Sequence, residues 1–283
     1  MEKCDIYGLA NVNVELTSRC NKNCWICGRR KVEKDYPDLT LKYGDMDFKL
    51  VEEIAEQLPH NIVVQLHNNG EALLYPRFGD ALQLFEKQIT NIVSNGKLLV
   101  KKANEIIGNL DTLSISIFEN DYEVEEQYET LQKFLKLKGQ KKPFTTLRLI
   151  GDVDAKRYEK LGLLIIRRVL HSPLGSFNYR KDPTIPEIGI CLDFLHHLAI
   201  NREGKVSICV RFDPKGLGII GDVTKESLKE IWNCEKRLKW LKFHKQGKRN
   251  KIPLCLYCHF WGVPTGGDYK SKKESVEWKK IFE

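Results

Sequence analysis

The chain has 283 residues, of which 42% are hydrophobic and 30% charged, and its formal net charge is +8 at pH 7. This length and balance suit one large domain, or one and a half ordinary ones, with a substantial core, and they exclude a disordered chain. No run of about 18 apolar residues and no N-terminal apolar block occurs, so we expect a cytoplasmic protein with no membrane span and no secretory signal.

The first 180 residues alternate short apolar runs with amphipathic stretches. The sequence predicts strands at 12–16, 62–66, 89–93, 112–117, 145–149 and 164–168. Between them it predicts helices near 47–57, 78–87, 101–107, 122–136 and 155–161. Strands separated by helices indicate a parallel α/β sheet, because parallel neighbours need a crossover. An open doubly wound sheet and a partial barrel of six βα units both satisfy this pattern.

The pattern changes after residue 190. Residues 197–210 predict a hairpin that turns around Gly204. Residues 227–242 predict one helix, with Ser227 and Glu230 as a capping box. Four leucine and isoleucine side chains of this helix fall near one face and predict core packing: Leu228, Ile231, Leu238 and Leu241. Residues 252–267 predict a cysteine-bearing loop, and a basic tail follows.

Three of the nine cysteines, Cys20, Cys24 and Cys27, follow the first strand directly. An odd cysteine count in a chain without a leader argues against a disulfide framework and favours metal binding. Loops that follow strands hold ligand sites in parallel α/β folds. A structural zinc needs four ligands, whereas three thiolates suit a cubane iron–sulfur cluster with one iron left open.

A second set of four cysteines lies beyond the change in pattern: Cys191, Cys209, Cys255 and Cys258. Two of them flank the predicted hairpin and two form a Cys-x2-Cys pair. Four thiolates make a closed site, and the spacing alone fits a structural zinc and an iron–sulfur cluster equally well.

The stretch "CNKNCWIC" resembles the signature of the radical S-adenosylmethionine (SAM) enzymes, with Ile26 in the variable apolar place. The resemblance implies a partial (β/α)6 TIM-like barrel and a [4Fe–4S] cluster whose open iron is chelated by SAM. Reductive cleavage of SAM then yields a 5′-deoxyadenosyl radical that abstracts a hydrogen atom from the substrate.

The same resemblance implies a set of SAM contacts after the next three strands. Asn69, Gly70 and Glu71 stand where the family usually has Gly-Gly-Glu-Pro, so the first glycine and the proline are missing. Ser94 and Asn95 match the family's Thr-Asn-Gly turn, and Ser116, in preference to Ser114, matches a strand serine near SAM. With Ile26, these residues are the predicted SAM site.

The second cysteine set, with the hairpin and helix between its members, resembles the SPASM or shorter twitch domain of radical SAM enzymes. Four cysteines imply one auxiliary [4Fe–4S] cluster, as in the twitch form. The predicted division is therefore a radical SAM barrel at residues 1–180 and a small α+β cluster-binding domain at residues 181–283.

Cys4 and Cys234 belong to neither set and are expected to be small buried side chains. Cys234 is the better candidate for a thiol that donates a hydrogen atom to a substrate radical. Asn13, Glu15 and Arg148 are expected to point into the barrel lumen, where a substrate-facing base would have to lie.

The favoured function is oxidation or dehydrogenation of a small molecule, with the auxiliary cluster as electron relay and a flavodoxin or ferredoxin as electron donor. Radical modification of a ribosomally made peptide is the first alternative, although only about ten residues precede the first strand and leave no room for a leader-binding domain. Radical modification of RNA is suggested by the basic residues of 236–251 but is not favoured. A zinc-binding interaction protein is the alternative outside enzymes.

Overall fold

A computed structural model describes residues 6–25, 27–168, 190–256 and 258. Within these residues the strands form one nine-stranded sheet in the order β6-β5-β4-β3-β2-β1-β7-β8-β9. The strands are β1 (Asn11–Val14), β2 (Val63–Gln65), β3 (Ile89–Ser94), β4 (Thr112–Phe118), β5 (Phe144–Ile150), β6 (Leu164–Arg168), β7 (His197–Ile200), β8 (Lys205–Ser207) and β9 (Ile219–Asp222).

Ten α-helices connect and follow the strands in the described part of the chain. They are α1 (Gly28–Asp35), α2 (Phe48–Gln57), α3 (Phe78–Leu84), α4 (Ala103–Ile106), α5 (Val124–Lys138), α6 (Lys156–Glu159), α7 (Leu192–His196), α8 (Leu228–Trp232), α9 (Glu235–Lys245) and α10 (Pro253–Leu256). The six predicted strands of the first part and the five predicted helices between them are all present, within a few residues of their predicted bounds. Helices α1, α7 and α10 were not predicted.

The strand order decides between the two predicted architectures. From β1 to β6 each strand lies beside the next in sequence, in parallel register and without a reversal of direction. A doubly wound sheet needs a reversal at its switch point, so this order is that of a barrel. The sheet stays open, because β7 occupies the free edge of β1. The predicted partial (β/α)6 barrel is therefore confirmed.

The two faces of the parallel strands differ in chemistry, as the alternation of side chains requires. One face carries fully buried apolar side chains, which share a core with Val51 and Ile54 of α2 and with Leu131 and Phe134 of α5. Those strand residues are Val12, Val14, Val64, Ile92, Leu113, Ile115, Ile117, Leu147 and Leu149. The opposite face carries polar side chains, which form part of the site described below.

The helix predicted over residues 227–242 is wrong as a single element, since the chain leaves the helix between Trp232 and Glu235. Ser227 and Glu230 form the predicted capping box at the start of α8. Cys234 takes an extended conformation and caps α9 instead of continuing α8. The break rotates the second half, so that Leu238 is 48% exposed instead of packed in the core.

The remaining predictions for the second part can be assigned in part. The hairpin is confirmed, with β7 and β8 antiparallel around Gly204, whose φ is +83°. The predicted loop from 252 begins with the short helix α10. The domain boundary predicted at 180/181 lies outside the described residues. None of the helices in the described ranges has the length and apolar character needed to cross a membrane.

Candidate active site

The three-cysteine loop leaves β1 at the carboxyl edge of the parallel strands, where ligand sites of such sheets lie. Cys20, Cys24 and Cys27 are half-buried free thiols, and the Cys27 N–H donates to the Cys24 carbonyl at 3.0 Å. Cys27 occupies the residue before α1. The predicted contact Ile26 lies outside the described residues.

The electrostatics of these thiols suit a site that is completed by a cation. Burial raises the pKa of the Cys24 thiol to about 12; the nearby Cys27 and Cys20 add to the shift, and Lys22 opposes it. Burial likewise raises the pKa of Cys20. Thiolates are the metal-binding form, so binding of cationic iron here would release protons and offset the burial. The donor set therefore fits an iron–sulfur cluster.

Gly70 brings the turn after β2 into backbone contact with the start of the cysteine loop. A Cβ at position 70 would collide with the carbonyl oxygen of Thr17 and would lie 2.8 Å from that of Arg19. The Glu71 N–H donates to the same Arg19 carbonyl at 2.8 Å. Only glycine permits this approach, so the position of the cysteine loop depends on residue 70.

Glu71 joins the turns that follow β2 and β3. Its carboxylate is buried and accepts hydrogen bonds from the Ser94 hydroxyl at 2.9 Å and from the Asn95 N–H at 2.8 Å. Burial raises the pKa of Glu71, and these hydrogen bonds oppose the rise. The Glu71 carboxylate thus holds the two turns together. Because it is occupied by these hydrogen bonds, the backbone of the turn is the part available to a ligand.

Asn95 connects the β3 turn to the cysteine loop. Its side-chain nitrogen lies 3.9 Å from the Cys20 sulfur and donates to Asn21 Oδ1 at 2.9 Å. On β4, Ser114 is engaged by the Thr146 hydroxyl at 2.9 Å, whereas the Ser116 hydroxyl has no hydrogen-bond partner among the described residues. The structure therefore brings Ser94, Asn95 and the cysteine loop together. The Ser114 hydroxyl is occupied by Thr146, which is compatible with the prediction of Ser116 as the SAM contact.

Lys22 is a buried charge at the candidate site that the sequence reasoning missed. It lies inside the cysteine loop with a side chain only 2% exposed, and it pairs with Asp121 at 2.5 Å and Glu123 at 3.3 Å in the segment after β4. Lys97 of the β3 turn also pairs with Glu123. This network fixes three loops of the carboxyl edge to one another. A lysine between two clustered cysteines was the available signal.

The polar face of the sheet forms a connected row below the loops. Asn13 donates to the His67 carbonyl at 2.7 Å and contacts His197 Nε2 through its Oδ1 at 2.6 Å. Burial lowers the pKa of His67 to about 3, with Arg148 and His197 adding to the shift, so His67 is neutral at pH 7. Glu15 holds Asn69 by two hydrogen bonds of 3.0 Å. The predicted lumen residues Asn13 and Glu15 therefore lie on this face.

The four-cysteine set gathers at the opposite edge of the sheet. Cys191 precedes α7 and the amino end of β7, and Cys209 follows β8, which runs back to the same edge. The charges of Cys255, Cys258 and Cys191 influence one another, which places these thiols near each other. The Arg249 side chain donates to the carbonyls of Cys255 and Cys258, at 3.1 Å each.

The second set also fits a cluster. Burial raises the pKa of Cys255 to about 12 and that of Cys209 well above its usual value, so these thiols need a cation to ionise at neutral pH. Among the residues that the structure describes, no three His, Cys, Asp or Glu side chains are arranged to hold a single metal ion. Cubane thiolates bind separate iron corners and stand farther apart than the ligands of one ion.

Cys234 lies apart from both cysteine sets. Its sulfur donates to the Ile220 carbonyl at 3.7 Å and accepts from the Arg237 N–H at 3.5 Å, which makes it the cap of α9. Ile220 belongs to β9, three strands from β1. The hydrogen-donor role of Cys234 stays a prediction, and its contacts are those of a capping residue.

Comparisons with known sequences agree with this geometry. Residues 191–259, which contain the whole second cysteine set, match the SPASM family of iron–sulfur cluster-binding domains. The S-adenosyl-L-methionine-dependent 2-deoxy-scyllo-inosamine dehydrogenase of Niallia circulans is 22% identical over 269 residues, 91% of this chain and 96% of that protein. The tungsten-containing aldehyde ferredoxin oxidoreductase cofactor-modifying protein of Pyrococcus furiosus is 30% identical over 109 residues, 37% of this chain; the match spans only 28% of that protein.

Solved structures share the fold at low identity. The crystal structure of BtrN in complex with AdoMet and 2-DOIA has a TM-score of 0.63 at 19% identity and covers 92% of this chain and 97% of that chain. SuiB of Streptococcus suis bound to S-adenosylmethionine has a TM-score of 0.58 at 13% identity and covers 93% of this chain and 73% of that chain.

The partial barrel with a three-cysteine loop at its carboxyl edge has the architecture of an α/β enzyme, and the thiols of this loop fit an iron–sulfur cluster. These findings support the predicted radical SAM enzyme with a C-terminal SPASM-type domain, in which residues 191–259 belong to the iron–sulfur cluster-binding family.

Replacement of Gly70 tests the contact between the β2 turn and the cysteine loop. We expect Gly70→Ala to weaken SAM binding at least about tenfold, because the added Cβ displaces the turn from the cysteine loop. A tenfold loss of affinity corresponds to about 1.4 kcal/mol of binding free energy. The measurement is anaerobic calorimetry of SAM binding to the iron-loaded protein. Gly79→Ala in α3, which adds a Cβ 3.3 Å from the flexible Glu105 side chain of α4, is the matched control. Wild-type affinity in Gly70→Ala would show that the contact does not shape the site.

Proposed function

We propose that this enzyme oxidises a secondary alcohol of a polar small molecule, with one auxiliary [4Fe–4S] cluster held by Cys191, Cys209, Cys255 and Cys258. Cys20, Cys24 and Cys27 hold the cluster that binds SAM. SAM itself lies against Asn69, Gly70, Glu71, Ser94, Asn95 and Ser116, with Ile26 beside it. The division at residue 180 into a barrel and a cluster-binding domain belongs to the same proposal.

One observation carries the proposal: a row of polar side chains lies between two separate cysteine sets. The three-cysteine loop is at the carboxyl edge of β1, and the four-cysteine set is at the amino edge of β7, which pairs with β1 in parallel. Asn13 and His197 lie on the face between them. A substrate bound there has a hydrogen acceptor on one side and an electron acceptor on the other.

The overall reaction divides into three transfers. Oxidation of an alcohol carbon to a carbonyl removes one hydrogen atom, one proton and one electron. A cluster held by Cys20, Cys24 and Cys27, with SAM bound to it, would supply the radical chemistry that removes the hydrogen atom. A cluster held by Cys191, Cys209, Cys255 and Cys258 would supply a site for the electron. The chain's own polar face orients the alcohol and receives its proton.

His67 is not suited to be the proton acceptor. Its pKa, lowered to about 3 by burial, leaves the ring neutral at pH 7. Because Nδ1 accepts the Val93 N–H at 3.1 Å, the single ring proton lies on Nε2. His67 therefore acts as a neutral hydrogen-bond donor toward the lumen.

The comparisons support small-molecule oxidation over peptide modification. The relative whose match spans 91% of this chain is by its name a dehydrogenase. The match to the BtrN structure includes 97% of the BtrN chain. SuiB, which was also solved bound to the precursor peptide SuiA, is covered to 73–74%. Its shared fold keeps peptide modification as the second candidate.

The electron donor is proposed to be a small acidic protein of the flavodoxin or ferredoxin type. Residues 236–251 contain eight Lys or Arg and no Asp or Glu. Six of them are exposed lysines that form no ion pair with the described residues: Lys236, Lys239, Lys242, Lys245, Lys248 and Lys251. Other surface lysines, such as Lys142 with Asp111, are paired. A basic surface of this kind attracts acidic partners of either class. We favour a redox protein because α9, which carries the first four of these lysines, contacts the four-cysteine set through His244.

Metal analysis tests the number of clusters. We expect about eight irons and eight sulfides per chain after anaerobic reconstitution, about four in Cys20→Ala/Cys24→Ala/Cys27→Ala and about four in Cys255→Ala/Cys258→Ala. Cys234→Ala is the matched control and should keep all of them. Colourless protein with stoichiometric zinc would contradict the proposal and favour the interaction protein.

Isotope transfer tests the reaction. With dithionite and SAM, a cyclitol amine such as 2-deoxy-scyllo-inosamine that carries deuterium on the carbinol carbon should yield monodeuterated 5′-deoxyadenosine and one ketone per SAM consumed. The Cys20→Ala/Cys24→Ala/Cys27→Ala variant should form neither. Deuterium transfer from a labelled peptide, with none from any alcohol probe, would establish the second candidate instead.

Charge reversal tests the electron donor surface. We expect Lys242→Glu/Lys245→Glu to slow reduction by flavodoxin about tenfold or more at low salt, with less difference at high salt because screening weakens exposed charges. Reduction by dithionite should be unchanged. Lys133→Glu/Lys136→Glu on exposed positions of α5 is the matched control. Equal flavodoxin rates in both variants would contradict this docking surface.

A further inference from the structure

His244 is a fully buried histidine that lies between two segments bearing cysteines. It sits on the buried face of α9 with Arg237 and Trp240. Its ring stacks on Phe194 at a centroid distance of 4.8 Å and an angle of 30°. Phe194 follows Cys191 by three residues, and His244 Nε2 lies 3.8 Å from the Cys255 sulfur. One imidazole therefore contacts Cys255 directly and also packs on the helix that begins next to Cys191.

Packing alone does not account for a histidine at this position. Burial of an imidazole is unfavourable unless its nitrogens form hydrogen bonds, whereas a phenylalanine would fill the space without that requirement. The nearby cations have other partners: Arg249 donates to the Cys255 and Cys258 carbonyls, and Arg237 to the Trp232 and Leu195 carbonyls. The His244 Nε2 atom lies at hydrogen-bonding distance from the Cys255 sulfur.

We propose that His244 donates an Nε2–H···S hydrogen bond to Cys255 when that thiolate is a cluster ligand, and that this bond raises the reduction potential of the auxiliary cluster. The inference rests on the proposed function, which supplies the cluster. Reduction adds negative charge to a cluster and its sulfurs, so a donor on a ligand sulfur stabilises the reduced state more than the oxidised one. His244 is a positioning residue, since it acts through Cys255.

The consequence for the reaction is the direction of electron flow. A higher potential makes the auxiliary cluster a better acceptor of the electron that a deprotonated substrate radical releases. The role of acceptor then depends on a side chain outside the cluster ligands.

The test uses the full chain with Cys20→Ala/Cys24→Ala/Cys27→Ala, so that the auxiliary cluster is the one cluster observed. His244→Phe keeps the stacking on Phe194 and removes the N–H. His244→Gln retains a donor near the position of Nε2. His196→Phe, at an exposed histidine that contacts the Gly8 carbonyl, is the matched control. The readouts are iron content and the midpoint potential from an EPR-monitored titration.

We expect about four irons in each variant, a more negative potential in His244→Phe, a potential near that of the parent in His244→Gln and no change in His196→Phe. A His244→Phe variant with full iron and the parent's potential would overturn the inference. If the parent, the full chain with only Cys20→Ala/Cys24→Ala/Cys27→Ala, binds no auxiliary cluster, the proposed function is overturned instead.

A second measurement does not depend on the stability of any His244 variant. In the parent chain labelled with ¹⁵N-histidine, pulsed EPR of the reduced cluster should show a weak nitrogen coupling and a proton coupling that disappears in D₂O. A strong coupling, as expected of nitrogen bound directly to iron, would overturn the inference, and so would the absence of any histidine coupling.

Discussion

The close approach of the Gly70 backbone to residues 17–19 is the constraint on which the rest of the site depends. It places the turn after β2 directly beneath the start of the cysteine loop, where a side chain would collide with two carbonyl groups. Glu71 then extends the same unit to the turn after β3 through two short hydrogen bonds. The loops at this edge of the barrel thus form one assembly, and their relative position depends on the absence of a side chain at Gly70.

Buried charge completes the assembly from the other side. Lys22 inside the cysteine loop pairs with Asp121 and Glu123, and Glu123 also pairs with Lys97. A buried ion pair contributes little net stability, because desolvation offsets the attraction, but loss of one partner leaves an uncompensated charge. The network is therefore better understood as a device that fixes loop geometry. Asn13, His67 and His197 form a similar preformed arrangement on the polar face.

The sequence predicted those parts of the molecule that local spacing encodes. Alternating apolar runs located all six strands of the barrel, and the distances between cysteines separated an open set from a closed one. The break at Cys234 was missed because a continuous helical pattern does not reveal which face each half buries. Lys22 and His244 were missed because their partners lie 99 and 11 residues away, and only the fold brings them together.

The pairing of β7 with β1 has a consequence for electron transfer. The two cysteine sets lie beyond opposite ends of the β1–β7 pair, and β1 spans four residues at roughly 3.3 Å each, or about 13 Å. Tunnelling rates fall steeply with distance, so in the proposed reaction the sheet is the spacer that sets how fast an electron crosses between the two clusters. Two residues inserted into this strand pair would lengthen the gap by roughly 7 Å while leaving every ligand in place. Under the proposed function, strand length is therefore a kinetic parameter as well as a matter of folding.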